Sequence, residues 1–332
     1  MAREKKDKPK WGPQQVALAR KTVLVVAIAL VTITLAAIGL HRVNQYVGRT
    51  TALQTERPTV VLANRPSWMS DRVCQEICAA ARPEKPYSAL DPQALRVAFE
   101  VLKRDPRISP WIKEIHHVKL LYRRKPGDTL EIDCEYRIPI ALVHGQSTSP
   151  HSDAKVDYYY LVDGDGVALP ERYTPEQLAK VVYGRDGRMN IRVVEGIDAP
   201  PPTLPGKRWP GNDLRAGLEM ARALAGHTYT EEIMKIDMTN FQGRVDEREA
   251  HIVLWTKHTP PTQIRWGRPE SDKGSGIVEI PPADKMVYLQ KVFQQFGRVD
   301  AGRPWIDIRF DHITYPADPP PTPLPVPEAQ QP

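Results

Sequence analysis

The chain has 332 residues, of which 41% are hydrophobic, and its formal charge is +6. That length has room for about two domains of roughly 100 to 200 residues each. Residues 1–21 hold seven Lys or Arg and two acids, so this segment carries +5 and the other 311 residues carry only +1. Because no basic stripe with interleaved aromatic residues follows, the composition argues against a nucleic-acid partner.

Residues 22–40, TVLVVAIALVTITLAAIGL, are nineteen positions without a charge. As a helix they span about 28 Å, close to the hydrocarbon thickness of a bilayer. A cleaved signal peptide is the alternative, because LAAIG offers small residues, but its apolar core is usually only about 7 to 15 residues long. The lysines before this segment, against His41, Arg42 and Arg49 after it, place the N-terminus in the cytoplasm. We expect a cytoplasmic tail (1–21), one span (22–40) and an extracytoplasmic remainder.

Three cysteines fall in that outer compartment, where disulfides are permitted. Cys74 and Cys78 lie four residues apart on an expected helix, where the distance between their Cβ atoms exceeds what a disulfide needs. All three cysteines, including Cys134, occupy apolar positions and are expected to be small buried side chains. A zinc site would need a fourth ligand at a suitable spacing, and none is found.

The first elements after the span follow the order strand, helix, helix, strand, strand. Residues 59–63 are β-prone, a helix begins at Ser70 or Asp71, and a second helix begins at an Asp91 cap with Pro92 at its first position. Two strands, 115–124 and 130–136, flank a KPGD turn. The positions expected to be apolar and buried are Leu95, Ala98, Phe99 and Leu102 on the second helix and Leu130, Ile132, Cys134 and Tyr136 on the last strand.

The stretch YYYLVDGDGVALP, residues 158–170, suggests either a calcium loop or a hairpin. An EF-hand loop that begins at Asp163 would need an oxygen ligand at its fifth position, glycine at its sixth and glutamate at its twelfth. Those places hold Val167, Ala168 and Thr174, so the calcium interpretation fails on spacing. The sequence predicts a hairpin, in which DGDG supplies residues that tolerate positive φ.

Beyond the hairpin, helical and β-prone segments follow each other to the end of the chain. Residues 144–155, just before it, are polar and predicted to form a loop. The predicted helices are 174–182, 212–225 with an Asn212 or Asp213 cap, and 282–296, and the predicted strands are 233–240, 249–257, 262–267 and 304–310. After Tyr315, eight of the seventeen remaining residues are proline, which predicts a disordered or extended tail.

The element order strand, helix, helix, strand, strand behind a single N-terminal anchor resembles a POTRA domain. Within it, residues 110–141 resemble the core of the FtsQ (DivIB) bacterial cell-division proteins. The matching positions are Pro110, Trp111, Pro126, Asp128, Leu130, Ile132, Glu135, Pro139, Ile140, Ala141, Val162, Asp163 and Gly166, and WIDIRF (305–310) is similar to the closing strand of the family. The departures are Gly127 as an extra turn residue, one residue inserted before Pro139, an insertion at 145–156, and a segment at 199–211 without a counterpart.

The resemblance implies an α+β chain with one N-terminal transmembrane helix. A juxtamembrane linker (41–57) would precede a POTRA domain (58–142, βααββ), a C-terminal mixed domain built on an antiparallel sheet (143–315) and a proline-rich disordered tail (316–332). The implied function is a non-catalytic scaffold of the divisome, in the inner membrane at the septum, that links cytoplasmic assembly to septal cell-wall synthesis. The implied partners are FtsB/FtsL-like single-pass coiled-coil proteins.

Chemistry-bearing motifs are sparse in this sequence. It contains no G-x-S-x-G elbow, P-loop or H-E-x-x-H. His116 and His117 are neighbours on an expected strand and therefore point to opposite faces. Asp307 and Asp311 give no basis for acid and base roles. We expect no enzyme, cofactor, metal or small-molecule substrate. Two alternatives remain open: a membrane-anchored POTRA module of another envelope assembly or secretion system, and an extracytoplasmic enzyme.

The last β-prone segment, 305–315, precedes a tail too rich in proline to pair as a central strand, so it is expected at a sheet edge. An edge strand can accept a partner segment as a further strand. In the FtsQ family FtsB is held near the C-terminal strands, which implies the same region here. The candidate residues are Trp305, Ile306, Asp307, Ile308, Arg309, Phe310, Ile313 and Tyr315. On one alternation Trp305, Asp307 and Arg309 face the partner; alternatively this is an ordinary core strand whose Ile306, Ile308 and Phe310 pack inward.

Overall fold

The computed structural model describes residues 13–54, 57–90, 92–125, 127–148, 154–183, 189, 191–269 and 278–316. Most of the expected cytoplasmic tail, the expected Asp91 cap and the proline-rich tail from residue 317 lie outside the described residues. So do residues 149–153 of the expected insertion and Pro126 of the expected turn.

A single long helix begins the described chain: α1 spans Pro13–Thr51. Its segment Arg20–Thr50 contains an 18-residue stretch with a mean hydropathy of 2.8 and is long and apolar enough to cross a membrane. The helix is longer than the nineteen-residue span that the sequence predicts, because His41–Thr51 continues it with mixed polar and apolar residues and no proline.

The chain divides into two compact units, the first made of Met1–Arg65, Cys74–Glu100 and His117–Asp133. The remaining segments form the second unit. The elements up to residue 136 are β1 (Leu53–Gln54), β2 (Thr59–Leu62), α2 (Asp71–Ala81), β3 (Tyr87–Ser88), α3 (Gln93–Arg104), β4 (Ile112–Leu121) and β5 (Thr129–Tyr136).

Two sheets are built from these strands, a small pair of β1 and β3 and a three-stranded sheet in the order β2-β5-β4. β2 is parallel to the central strand β5, and Val60 lies opposite Leu130. The two helices and the strands lie where the periodicity of the sequence predicts them. Apart from the two-residue strands β1 and β3, the predicted βααββ element order is therefore present.

The predicted burial pattern is confirmed on β5, where Leu130, Ile132, Cys134 and Tyr136 are all buried. On α3 it is only partly confirmed. Leu102 is fully buried, but Phe99 is 36% exposed. The buried stripe of α3 instead follows a spacing of four residues through Ala94, Ala98 and Leu102, which leaves Phe99 on the flank of the helix.

None of the three cysteines forms a disulfide bond. Cys134 is buried, as the sequence predicts, whereas Cys74 and Cys78 on α2 are only half-buried. Burial and the neighbouring Cys74 raise the pKa of Cys78 to about 11, so that thiol stays protonated at neutral pH.

The rest of the chain builds one eight-stranded sheet. Its elements are β6 (Pro139–Thr148), β7 (Lys155–Asp163), β8 (Ala168–Tyr173), α4 (Pro175–Val182), β9 (Arg192–Glu195), α5 (Asn212–Ala223), β10 (Ile233–Asp237), β11 (Ile252–Thr256), β12 (Gln263–Gly267), α6 (Pro282–Phe296) and β13 (Trp305–Asp307). The strand order is β13-β12-β11-β10-β9-β6-β7-β8.

This sheet is mixed, which corrects the expectation of an antiparallel one. β9 is parallel to both of its neighbours, β6 and β10, and β13 is parallel to β12. β9 itself is missing from the sequence prediction, which placed no strand between residues 183 and 211. It nevertheless occupies the middle of the sheet, with Val193 and Val194 buried.

The predicted loop at 144–155 is wrong for residues 144–148, because β6 and β7 continue as a paired ribbon as far as Thr148 opposite Lys155. The polar residues there bond across the ribbon. His144 Nε2 and Gln146 Nε2 each lie 3.1 Å from Asp157 Oδ1. Such cross-strand pairs stabilise a ribbon whose residues are individually poor strand formers.

The hairpin at 158–170 is confirmed as β7 and β8. Asp163 closes its turn, because Oδ1 accepts the backbone N–H groups of Asp165 and Val167 at 2.9 and 2.7 Å. The other carboxylate oxygen, Oδ2, lies 2.7 Å from the Arg137 guanidinium. Gly166 has a φ of +79°, a conformation that suits glycine. Both oxygens of Asp163 are therefore engaged in holding the turn.

α5 supplies much of the core of the second unit through Leu214, Leu218, Ala221 and Leu224, as its spacing predicts. The predicted cap is wrong, because the N-cap is Gly211. Asp213 lies inside the first turn instead. Its Oδ2 accepts the Asp198 N–H at 2.9 Å and lies 3.2 Å from Arg244 Nη1.

Candidate partner-binding edge

β13 is the strand at one end of the eight-stranded sheet. It pairs with β12, with Trp305 opposite Gln263 and Asp307 opposite Arg265. The strand covers three residues and ends at Asp307, whereas the sequence predicts a strand as far as Phe310. The Asp307 carboxylate accepts the Arg309 backbone N–H at 3.1 Å. Such a local side-chain bond competes with ladder pairing and turns the chain away from the sheet.

The chain then returns to its own edge strand. The Asp307 N–H donates to the Thr314 carbonyl at 2.9 Å, and the Thr314 N–H donates to the Asp307 carbonyl at 3.0 Å. The outer edge of β13 is thus occupied at Asp307 by the same chain. The outermost backbone at this end of the sheet belongs to residues 313–315, which we call the return segment.

Among the described residues, none pairs with the outer side of the return segment. When two opposite residues exchange both hydrogen bonds, the flanking residues on each strand point their backbone groups the other way. Ile313 and Tyr315 flank Thr314, so their N–H and C=O groups point away from β13. Within the described part of the chain, neither residue takes part in a hydrogen bond. These groups can accept an added strand.

The predicted division of side chains into two faces is half right. Ile306 and Ile308 are fully buried, as the core interpretation predicts, while Phe310 is half-buried. Asp307 is also buried, so Trp305, Asp307 and Arg309 do not form a free face. Each of the three has an internal partner, since the Arg265 guanidinium lies 4.4 Å from the centre of the Trp305 ring and Arg309 pairs with Asp307.

Arg309 holds the chain just after β13 to the body of the unit. Its guanidinium lies 2.7 Å from Asp307 Oδ2 and donates to the Arg248 carbonyl at 2.9 Å. Its carbonyl accepts the Ile280 N–H at 2.9 Å. Burial opposes the charge of Arg309, but the bonds and the charge of Asp307 outweigh it and raise the pKa of the guanidinium. The Arg309 guanidinium is therefore charged throughout the physiological range.

Behind this edge lies a buried lysine that the sequence analysis missed. Lys285 on α6 is 1% exposed, and its Nζ donates to Glu279 Oε2 at 2.6 Å and to the Trp266 carbonyl at 2.7 Å. Burial lowers its pKa, although Glu279 favours its charged form. A sequence signal existed: Lys285 occupies the same helical stripe as Leu289 and Val292, both buried.

Aromatic contacts anchor the end of the return segment. The Tyr315 ring meets the Phe296 ring edge-on, with the ring centres 6.5 Å apart. The Tyr288 hydroxyl donates to the Asp311 carbonyl at 2.5 Å. Ile313 and Tyr315 also pack against the core cluster of the unit. The side chains therefore hold the segment in place while its outer backbone faces away.

The carboxylates of this edge lie beside basic residues. Asp307 is tied to Arg309, and Asp311 is exposed beside His312. Among the described residues no group of three or more His, Cys, Asp or Glu is placed to hold a metal ion.

His117, one of the two neighbouring histidines of the sequence analysis, lies on β4. It is 3.5 Å from both Glu131 and Asp133 on the neighbouring strand β5.

A scan against protein-family models finds no match for this chain, and a search of curated proteins finds none either.

Proposed function

We propose that this chain is a non-catalytic, single-pass membrane scaffold of the bacterial cell-division machinery, of the FtsQ (DivIB) type. In this role α1 crosses the inner membrane with the N-terminus in the cytoplasm. The chain beyond α1 lies outside the cytoplasm at the septum and binds FtsB/FtsL-like partners. The chain then links cytoplasmic assembly to septal cell-wall synthesis.

The observation that carries the proposal is a βααββ arrangement directly behind a helix long enough to span a membrane. The strand order β2-β5-β4, with β2 parallel to the central β5, supports the POTRA domain implied at residues 58–142, except that β6, which begins at Pro139, is a strand of the large sheet. The motif positions Pro110, Trp111 and Asp128 fall in this part of the chain. The large mixed sheet that follows corresponds to the β domain that the resemblance implies at 143–315.

The partner role is supported by the return segment. A further strand could pair with the outward N–H and C=O groups of Ile313 and Tyr315. Main-chain bonds of this kind supply affinity, and alternate side chains supply specificity. The partner that this geometry accepts is a short extended segment, such as the part of a bitopic coiled-coil protein that follows its coiled coil.

Affinity capture of the tagged full-length chain from host membranes tests the proposal. We expect small single-pass proteins with heptad repeats to co-purify. A control in which residues 22–40 are replaced by an unrelated apolar helix distinguishes capture by the ectodomain from capture by the span. Co-purification of an outer-membrane or secreted polypeptide instead would favour a module of another envelope assembly system and contradict the division role.

A further inference from the structure

A strongly basic turn lies between β4 and β5, formed by Tyr122, Arg123, Arg124 and Lys125, which we call the basic turn. The Tyr122 side chain is 65% exposed, and the three basic residues are exposed as well. Among the described residues no ion pair or hydrogen bond involves the guanidinium of Arg123 or Arg124. The function proposed above makes no use of these side chains.

Asp128 explains why the basic side chains point outward. Its carboxylate accepts the backbone N–H groups of Arg123, Arg124 and Lys125 at 3.1, 2.7 and 3.1 Å. The main chain of the turn therefore wraps around the carboxylate, and the side chains extend away from it. Because Asp128 is engaged by these amides, it does not pair with the guanidinium groups.

The basic turn lies at the end of the sheet where the chain arrives from α1. β2 begins at Thr59, whose N–H donates to the Asp128 carbonyl at 2.9 Å, and Thr59 is only eight residues beyond the end of α1. Two consecutive residues of β3 also connect the end of α1 to the chain between β4 and β5. Ser88 Oγ donates to the Thr50 carbonyl at 3.0 Å, and the Tyr87 hydroxyl donates to the Gly127 carbonyl at 2.6 Å.

All of these residues belong to the first unit, which also contains α1. The helix continues for eleven residues beyond the apolar segment 22–40, a rise of about 16 Å. The head-group layer on one side of a bilayer is roughly 5 to 8 Å thick, so it covers only part of this rise. Helix tilt shortens the remaining distance between the head groups and the end of α1. Charges interact over about 8 Å at physiological salt. The long side chains of the basic turn are therefore within range of head-group phosphates.

We propose that the basic turn binds the phosphate-bearing head groups of anionic phospholipids in the leaflet from which α1 emerges. Arg123 and Arg124 supply the charge, since a guanidinium forms two parallel hydrogen bonds with a phosphate. Tyr122 supplies an amphipathic ring of the kind enriched at membrane–water interfaces. Together with α1, this contact fixes the orientation of the first unit against the membrane.

Photo-crosslinking of the full-length chain in nanodiscs tests this proposal. Tyr122 is replaced by p-benzoylphenylalanine, and lipid adducts are measured by intact mass after irradiation. We expect several-fold more adduct with phosphatidylglycerol in the nanodisc than with phosphatidylcholine alone. In the phosphatidylglycerol nanodisc, the additional change Arg123→Gln/Arg124→Gln should lower the adduct yield by at least about fivefold.

The matched control is Arg208→Gln/Arg215→Gln, which removes the same charge from exposed positions of the second unit. It should leave the adduct yield unchanged, and circular dichroism should show both double variants folded. Equal adduct yields from the two lipid compositions would overturn the proposal. An equal loss in the control pair would also overturn it, because attraction would then follow net charge rather than the basic turn.

Discussion

Lys285 and Glu279 form an ion pair that is almost completely enclosed, with 2.6 Å between Nζ and Oε2 and side-chain exposures of 2% and 9%. The Arg268 N–H also donates to Glu279 Oε2, at 2.9 Å, and the Trp266 carbonyl accepts a second bond from Lys285. This network lies behind the edge formed by β13 and the return segment. It fixes α6 against β12, the strand that pairs with β13.

Removing one partner of this pair should be costly. Glu279→Gln leaves the buried ammonium without its counter-charge, and we expect a loss of about 3 to 5 kcal/mol in the free energy of unfolding. Urea unfolding of the ectodomain measures it. The double variant Lys285→Met/Glu279→Gln should recover part of the loss, because no uncompensated charge remains. If Glu279→Gln were as stable as the wild type, the ion pair could not be enclosed as described.

Asp128→Ala should destabilise the chain by about 1 to 3 kcal/mol at neutral pH, because three backbone N–H groups lose their acceptor. Asp311→Ala, which removes a highly exposed carboxylate, is the matched control and should change little. Urea unfolding at pH 7 compares the two. Equal midpoints for both variants would show that the carboxylate of Asp128 does not hold the basic turn.

The pH dependence of stability should carry the signature of Asp128. Burial alone would raise its pKa, but the three backbone N–H groups and the Thr129 hydroxyl outweigh this and lower the pKa to about 2, from 3.8. Between these values the unfolded chain binds more protons, so this stabilisation is full above pH 3.8 and is lost as the pH falls through about 2. When the free energy of unfolding is measured against pH, Asp128→Ala should lack the decrease that Asp128 causes as the pH falls from 3.8 to about 2.

Leu102→Ala should cost about 2 to 5 kcal/mol, because Leu102 is fully buried on α3 and its truncation leaves a cavity. Val97→Ala is the matched control on the same helix, since Val97 is 56% exposed. Thermal unfolding of the two variants distinguishes the buried face of α3 from its exposed face. An unchanged midpoint for Leu102→Ala would mean that this face is assigned wrongly.

Local signals account for the parts of the fold that the sequence predicts correctly. The hairpin at 158–170 follows from Asp163 and Gly166, which form the turn within a few residues. α6 begins with proline and ends at Gly297, whose φ of +70° is the expected C-terminal signal. The alternation along β5 likewise needs only its own residues. Each of these features is decided by neighbours in the sequence.

The elements that escape prediction depend on distant partners. β9 has only four residues with a charge at each end, and its place is set by Leu142 of β6 and Lys235 of β10 on either side of Val193. The same holds for the candidate site. An edge position for 305–315 is predictable from the proline-rich tail, but the return of Thr314 to Asp307 and the buried Lys285 require the packed structure.

In the proposed function, the return segment pairs with an extended segment of a division partner. Tyr315→Pro removes one outward N–H donor, while the bonds between Asp307 and Thr314 keep their donors and acceptors. Tyr315→Ala removes the same ring but keeps that N–H. Capture from host membranes, with tagged full-length chains at equal levels, measures the recovery of the small coiled-coil partner. We expect strongly reduced recovery with Tyr315→Pro and near-normal recovery with Tyr315→Ala; equal recovery by both variants would contradict strand pairing at the return segment.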